Sequence, residues 1–296
     1  MVKNTGQLCF CIFSLLCSIF YISCENDFLG LFRSEDLDER LKSAQDFPYL
    51  SGHKYLDGTP WTNLKIGDGD YSFIFTSDTH IKHDDTNGLE NLQQKFIPSD
   101  KFVVIGGDLT QSSEREELDL FIKITGSWSR VDGSGEKMPC YPVIGNHDIY
   151  FGNWKIWKEL IGSTRYRIDS GEIGNTTLLI LDSANAFFGN DQFAWLSSQL
   201  KSAKQNTFVF SHGTLFVTDN PVSNKQSITD IRERARLISL LSSSNAKAYL
   251  SGHIHQEIVR ELDRRLYITT ENFHAHHRFA RIYVHSNGTI TYTFEN

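Results

Sequence analysis

Short apolar runs recur along the chain from Tyr71 onward, and five of them end in a polar cluster. Tyr71-Ser72-Phe73-Ile74-Phe75 leads to Asp78-Thr79-His80, and Phe102-Val103-Val104-Ile105 leads to Gly107-Asp108. Tyr141-Pro142-Val143-Ile144 runs into Gly145-Asn146-His147-Asp148, Thr207-Phe208-Val209-Phe210 into Ser211-His212, and Ala248-Tyr249-Leu250 into Gly252-His253-Ile254-His255. β-Branched and aromatic runs of this length, bounded by turn residues, predict strands buried on both faces. In an open α/β sheet, ligands sit outside the carboxyl ends of the strands. Clusters tens of residues apart are therefore expected to converge on one place.

Helical spacing fills the intervals. Ser113-Glu114-Arg115-Glu116 predicts a capping box at the head of a helix carrying Leu118, Phe121 and Ile122. Trp154 to Leu160 predicts another, with Trp154 and Trp157 on one face. Phe193, Leu196, Leu200 and Ala203 follow helical spacing, as do Ile228, Ile231, Ala235 and Ile238. Leu178 to Leu181 reads as a strand. Leu266 to Thr269, Ala280 to Val284 and Ile290 to Phe294 read as closing strands, the last two joined by a turn at Ser286-Asn287-Gly288-Thr289. Strands alternating with helices predict a layered α/β domain over residues 67–296. Every ligand-bearing strand lies downstream of Tyr71, so that body is expected to fold without the first 66 residues.

The first 23 residues carry one charge, Lys3, and an uncharged apolar run from Leu8 to Ile22, the pattern of an export signal. Tyr21-Ile22-Ser23-Cys24 resembles a bacterial lipobox, with Tyr21 standing where leucine is usual. The resemblance implies a lipoprotein anchored at Cys24 and facing the periplasm or cell exterior; a secreted chain or an uncleaved anchor are the alternatives. Residues 24–66 read as tether and lead-in, with Ser34 capping a short helix through Leu37 and Leu41. Gly52, Gly58 and Pro60 then mark a loop.

Composition narrows the partners. A formal net charge of −7 offers no general footprint for nucleic acid, so none is expected as a partner. Four of the five cysteines lie in the first 24 residues, leaving Cys140 alone in the body without a disulfide partner there.

The side chains gathered at the strand ends would be Asp78, His80, Asp108, Asn146, His147, His212, His253 and His255. Carboxylate, amide and imidazole together suit a borderline-hard metal rather than a structural thiolate zinc. Two divalent ions about 3.5–4 Å apart form a clamp for phosphoryl transfer. Gly106, Gly107, Gly145 and Gly252 beside these residues permit sharp turns and close backbone approach.

The ordered set Asp-x-His, Gly-Asp, Gly-Asn-His-Asp, a lone His and Gly-His-x-His resembles the calcineurin-like metallophosphoesterase superfamily over roughly residues 70–256. The resemblance implies a four-layer α-β-β-α sandwich and a binuclear centre of Mn, Fe or Zn. Asp78, His80 and His255 would bind one ion, Asn146, His212 and His253 the other, and Asp108 would bridge. His147 would contact the phosphate or protonate the leaving oxygen, and Asp148 would orient His147. The implied activity is hydrolysis of a small phosphorylated substrate, mono- or diester, by a metal-bridging hydroxide. A DNA exonuclease of the repair branch and a non-catalytic surface lipoprotein are the alternatives. Leu109-Thr110-Gln111-Ser112 follows the bridging position without a tyrosine, unlike purple acid phosphatases, and Gly-Asn-His-Asp leans toward phosphodiesterases. Two weaker clusters remain: His274, His276 and His277 with Arg278, which could reach the site or lie on a solvated loop, and His83-Asp84-Asp85, which could shape the pocket mouth.

The intact mass of membrane-extracted protein is expected to show Cys24 as a lipid-modified N-terminus. An unmodified N-terminus at another residue would rule out the lipoprotein reading.

Overall fold

The computed structural model describes residues 37–45, 64–67, 69–171, 174–216 and 227–296. Residues 1–23, Cys24, Ser34 and the loop around Gly52, Gly58 and Pro60 lie outside them. Among the described residues no helix is long and apolar enough to cross a membrane.

The buried runs form strands that sort into two sheets. In the first, β1 (Tyr71–Thr76), β2 (Asp100–Ile105) and β3 (Cys140–Pro142) lie parallel and side by side. The second holds β4 (Tyr166–Asp169), β5 (Thr176–Ile180), β6 (Asn206–Phe210), β7 (Ala246–Ser251), β8 (Ile258–Leu262) and β9 (Arg265–Thr269), in the order β4-β5-β6-β7-β9-β8. It is parallel from β5 through β9, with β4 and β8 antiparallel at its edges. The chain then returns to the first sheet, where β10 (Phe279–Val284) lies antiparallel beside β1, and β11 (Ile290–Glu295) closes the edge.

Alternation along each strand decides what the two faces touch. Phe73 stacks on Phe102 at 4.5 Å and meets Phe208 of the second sheet edge-on at 4.9 Å; Phe75 lies 5.8 Å from Phe210. Each such pair contributes about 0.5–1.5 kcal/mol beyond its buried area. Out of phase with Phe208 and Phe210, Val209 packs with Leu179, Tyr249 and Tyr267 on the far face of the second sheet. That face is covered by Phe193 and Leu196 of a helix over Gly189–Lys201, and by Leu237 and Leu241 of another over Ile231–Ser242. Helices over Arg115–Ser127 and Trp154–Leu160 add Leu118, Phe121, Trp154 and Trp157 to the core built around the first sheet. The result is the expected α-β-β-α sandwich.

Three local expectations need correction. The capping box sits one residue later than expected, between Glu114 and Glu117. Ser113 cannot cap: its φ is 60°, and its hydroxyl donates to the Asp148 carbonyl. The helix expected from Ile228 begins at Ile231, which is exposed, and its buried face is Leu237 and Leu241. Asp230 takes the cap by accepting a hydrogen bond from the Arg232 amide. Finally, β4 and β8 are strands that the apolar pattern does not predict. β8, Ile258-Val259-Arg260-Glu261-Leu262, is an edge strand whose charged residues hide the usual apolar signal.

The lead-in is also more than a tether. Helix α1 (Leu37–Gln45) buries Leu37 and Leu41. Between them Arg40 makes a two-pronged ion pair with Asp182, Nε to Oδ2 at 2.8 Å and Nη2 to Oδ1 at 2.9 Å, with both side chains inaccessible to solvent. Downstream, Leu64 bridges to Ser170 and is fully buried with Ile66 in the main core. A body starting at residue 67 would lose both attachments. Arg40→Ala should leave Asp182 buried without its counter-charge and cost about 3–5 kcal/mol. Denaturant unfolding of the full chain measures this, and a loss under about 1 kcal/mol would mean the pair behaves like an exposed one.

Candidate metal centre

The five clusters leave their strands at the carboxyl ends, and most of them turn at once through left-handed backbone. Asp78 (φ 58°) and His80 (φ 44°) follow β1, Asp108 (φ 49°) follows β2, and His253 (φ 74°) and His255 (φ 53°) follow β7. Such conformations cost side-chain-bearing residues energy and persist only where the surroundings fix them. Here a backbone ladder does so: the Asp78 amide donates to the Gly107 carbonyl at 2.9 Å and the His80 amide to the Asp108 carbonyl at 3.0 Å. Gly107 needs to be glycine twice over. Its φ is 97°, and a Cβ there would stand 2.4 Å from His212 Nδ1.

Asp78 and Asp108 are buried, and each divides its two oxygens between structure and site. Asp78 Oδ2 accepts from the His253 amide at 3.0 Å and from the Ser77 hydroxyl at 2.5 Å, while Oδ1 lies 3.2 Å from His255 Nε2. Asp108 Oδ1 accepts from the His147 amide at 2.8 Å, leaving Oδ2 at 3.2 Å from His212 Nε2 and 3.9 Å from His80 Nε2. Burial alone would raise both carboxyls, but the surrounding imidazoles hold them below the usual range, His255 acting most on Asp78 and His212 on Asp108. Both are therefore anions at neutral pH.

Three sets of potential ligand atoms lie within 4.8 Å of one another: Asp78, His80 and His255; His80, Asp108 and His147; Asp108, His212 and His253. Asp108 belongs to two of them, as does His80. Whether cations fit can be judged from the hydrogen bonding. Both ring nitrogens of His80 are buried without a hydrogen-bond partner, a condition that buried polar groups rarely tolerate. At the other half, His212 Nε2 faces Asp108 Oδ2 at 3.2 Å, Asn146 Oδ1 at 3.1 Å and His253 Nδ1 at 3.0 Å. One proton on one nitrogen cannot serve three acceptors; a cation among the four atoms can. His212 Nδ1 lies 2.8 Å from the Gly106 carbonyl, which fixes the tautomer that turns Nε2 inward.

Charge balance agrees. Burial pushes His80 down to about 3, and burial with the neighbouring His212 pushes His253 down to about 3, so both rings keep the lone pairs a cation needs. Burial disfavours a proton on His212 as well, yet Asp108 and Asp78 raise it to about 9. The carboxylates shift His255 upward in the same way, Asp78 acting most on it against its burial.

A search of the curated proteins found none that matches. The calcineurin-like phosphoesterase family matches over residues 71–257, from the first strand to just beyond the last histidine pair. The chain belongs to this family. Among solved structures, GAP50, the anchor in the inner membrane complex of Plasmodium, is similar at 15% identity, over 76% of this chain and 84% of its own, with a TM-score of 0.56. A dimetal phosphatase from Danio rerio is similar at 13% identity, over 75% of this chain and 98% of its own, also with a TM-score of 0.56. At such identities the likeness is one of fold. The fold and the ligand clusters together support a metal-dependent hydrolase of the metallophosphoesterase class, with two candidate ligand groups sharing Asp108.

Within this phosphoesterase site, one expected role changes hands. Asp148 does not orient the His147 ring. Its buried carboxylate instead accepts from the amides of Gly145 at 2.8 Å, Leu109 at 3.2 Å and Thr110 at 3.0 Å, and from the Thr110 hydroxyl at 2.9 Å. It ties the loop after β3 to the loop after β2. Burial and then the charge of Asp108 push its carboxyl up to about 7, against the pull of those donors. The His147 ring is held by the Gln111 carbonyl, 2.8 Å from Nδ1, with Nε2 turned to Asp108 Oδ2 at 4.0 Å.

The later histidines separate. His274, at the start of a single turn over Phe273–His276, lies ring to ring with His80 at 4.8 Å and His255 at 5.8 Å, its amide donating to the Asp78 carbonyl. His276 pairs instead with Glu271 at 3.4 Å, Arg278 with Glu257 at 2.7 Å, and His277 packs on Phe273. His83 and Asp84 are exposed. Sequence gave no signal for Ser77 or Gln111, which act through a hydroxyl and a main-chain oxygen.

Gly107→Ala should lower stability by at least ~1–2 kcal/mol through the left-handed backbone alone. It should also lower metal content by displacing His212, although no ligand is changed. Thermal unfolding beside elemental analysis tests both effects, and full metal content in a folded variant would contradict the placement of His212.

Proposed function

We propose that the chain hydrolyses a small phosphorylated substrate, a phosphomonoester or phosphodiester, at this centre. The observation that carries the reading is that Asp108 lies in two clusters of potential ligands, with His80 and His147 in one and with His212 and His253 in the other. Asp78, His80 and His255 would hold one divalent ion and Asn146, His212 and His253 the other. Bound ions of this kind neutralise phosphate charge, acidify water and steady the leaving oxygen. The protein's own part is to hold and move protons and to orient. His147 Nδ1 is committed to the Gln111 carbonyl, so Nε2 is the atom available to a phosphate or leaving oxygen. His274, ring to ring with two of the ligands, would wall the Asp78 half of the site.

GAP50 is named for anchoring, so a non-catalytic binding role on this fold is the second reading. The unpartnered nitrogens of His80 and the crowded His212 favour a metal-loaded, hydrolytic site instead. We also infer, from the sequence pattern alone, that the chain works outside the cytoplasm on a lipid anchor at Cys24.

Aryl phosphate mono- and diesters assayed with Mn, Zn or Fe should reveal turnover with at least one metal. His147→Ala should keep its metals yet lose about 10²–10⁴-fold in rate, the usual share of general acid catalysis. The loss should be largest for esters of high-pKa alcohols and smaller for nitrophenolate. Asp108→Ala should lose metal itself. If His147→Ala lost metal as readily as Asp108→Ala, His147 would be a ligand and not the acid.

A further inference from the structure

Helix α1 lies ahead of the segment that the family matches, residues 71–257, yet its contacts end beside a proposed metal ligand. Arg40 does more than neutralise Asp182. Its Nη2 also donates to Asn185 Oδ1 at 2.6 Å, so one guanidinium holds both ends of the turn from Asp182 to Asn185. Asp182 Oδ1 takes the Ala184 amide as well, at 3.1 Å, and the chain leaves the turn through a left-handed Ala186 with φ 64°. β5 and β6 run parallel with Ile180 opposite Phe210, so Asp182-Ser183 and Ser211-His212 leave the sheet side by side.

Ser183 lies inside this turn and connects it to the centre. Its hydroxyl accepts the Gly213 amide at 2.8 Å, and Gly213 directly follows His212. Both residues are buried, and a buried amide without a partner costs about as much as a lost hydrogen bond. There is little slack around Gly213: a Cβ there would stand 2.7 Å from Ile228 Cδ1 and 3.3 Å from Ser183 Oγ. On its other sides His212 accepts the Gly252 amide at its carbonyl, at 3.0 Å, and sets its ring against the Gly106 carbonyl. Three loops therefore fix His212, and the one after β5 is itself closed by α1.

The Asp182 side chain is inaccessible to solvent. Without Arg40, its carboxylate must draw in water, take up a proton or move outward, and Asn185 loses its donor too. Any of these loosens the turn that presents Ser183 to Gly213. Small shifts matter at a metal ligand, because coordination distances hold within about 0.2 Å. We propose that Arg40 is a positioning residue for the metal centre: acting through Asp182 and Ser183, it sets where His212 presents Nε2. The proposal rests on the metal-binding reading of the site and adds a requirement for a docked α1. The lead-in is then a working part of the centre and not a spacer ahead of it.

The test is metal binding, so that it does not depend on turnover. Metal-free full-length protein is titrated with zinc against a chromophoric chelator, which reads both the number of ions bound and their affinities. The wild type should bind two. Arg40→Ala should hold one ion as the wild type does and bind the other about 10- to 100-fold more weakly, the usual effect of losing a residue that orients a ligand. Ser183→Ala, which spares the ion pair, should weaken the same ion and carries the test if Arg40→Ala does not fold. Leu41→Ala is the control: it empties a buried position on the same helix and should lower stability without changing either affinity. Wild-type affinities in Arg40→Ala, or in Ser183→Ala, overturn the proposal. So does a loss in Leu41→Ala equal to that in Arg40→Ala, which would trace the effect to a weakened fold. Failure of the metal-binding reading looks different: the wild type itself then binds no zinc.

Discussion

Two buried carboxylates, Asp78 and Asp108, must stay ionised away from water, and the neighbourhood is arranged around that requirement. Among the described residues neither pairs with a lysine or arginine; their charge is met by main-chain amides and imidazoles. The amides come from other loops, His253 for Asp78 and His147 for Asp108, so each carboxylate also staples one strand end to another. This explains why one oxygen of each is spent on the backbone. The remaining oxygens turn inward, where they face the imidazoles of His212 and His255. A buried anion that lacks a fixed counter-charge is costly. Divalent cations would remove that cost, and the clusters of potential ligand atoms lie where they could do so.

The left-handed residues follow from the distance between the sheets. Face-to-face sheets lie about 10 Å apart, here filled by Phe73, Phe75, Phe208 and Phe210. Ligands from the two sheets must approach within a few ångströms of one another, so the loops cannot continue along their strands. They curl toward the opposite sheet, and the left-handed turns at Asp78, Asp108 and His253 accomplish it. Gly252 marks the tightest approach: a Cβ there would stand 2.1 Å from Ser77 Oγ and 2.6 Å from Asp78 Oδ2.

Much of this was legible in the sequence because the ligand loops are short and each follows a strand with a strong apolar signal. The seven proposed ligands and His147 could be named before any coordinates, and the sandwich with them. What could not be read depends on pairs far apart in the chain. Arg40 and Asp182 are separated by 142 positions, and nothing local in either segment announces the ion pair. Asp148 looked like a partner for the residue next to it, but its acceptors are filled by amides nearly forty positions upstream as well as by Gly145. Ser113 and Ile231 show the limit of periodicity and capping rules, which locate a helix better than they locate its first residue or its buried face.

The loop after β3 joins both requirements. It places Asn146 Oδ1 beside His212 and gives the His147 amide to Asp108, and Asp148 then locks it to the loop after β2. With three consecutive residues committed, the chain has little freedom in how it leaves the site. It must reverse within a few positions to start the helix that buries Trp154 and Trp157. That reversal is where Phe151 becomes strained and exposed. The fold thus concentrates its least favourable backbone in the segments that bear the site's chemistry, while the core beneath them is made of well-packed aromatic strands. Rigidity below and strain above are complementary, because only a core that cannot yield keeps such loops in place.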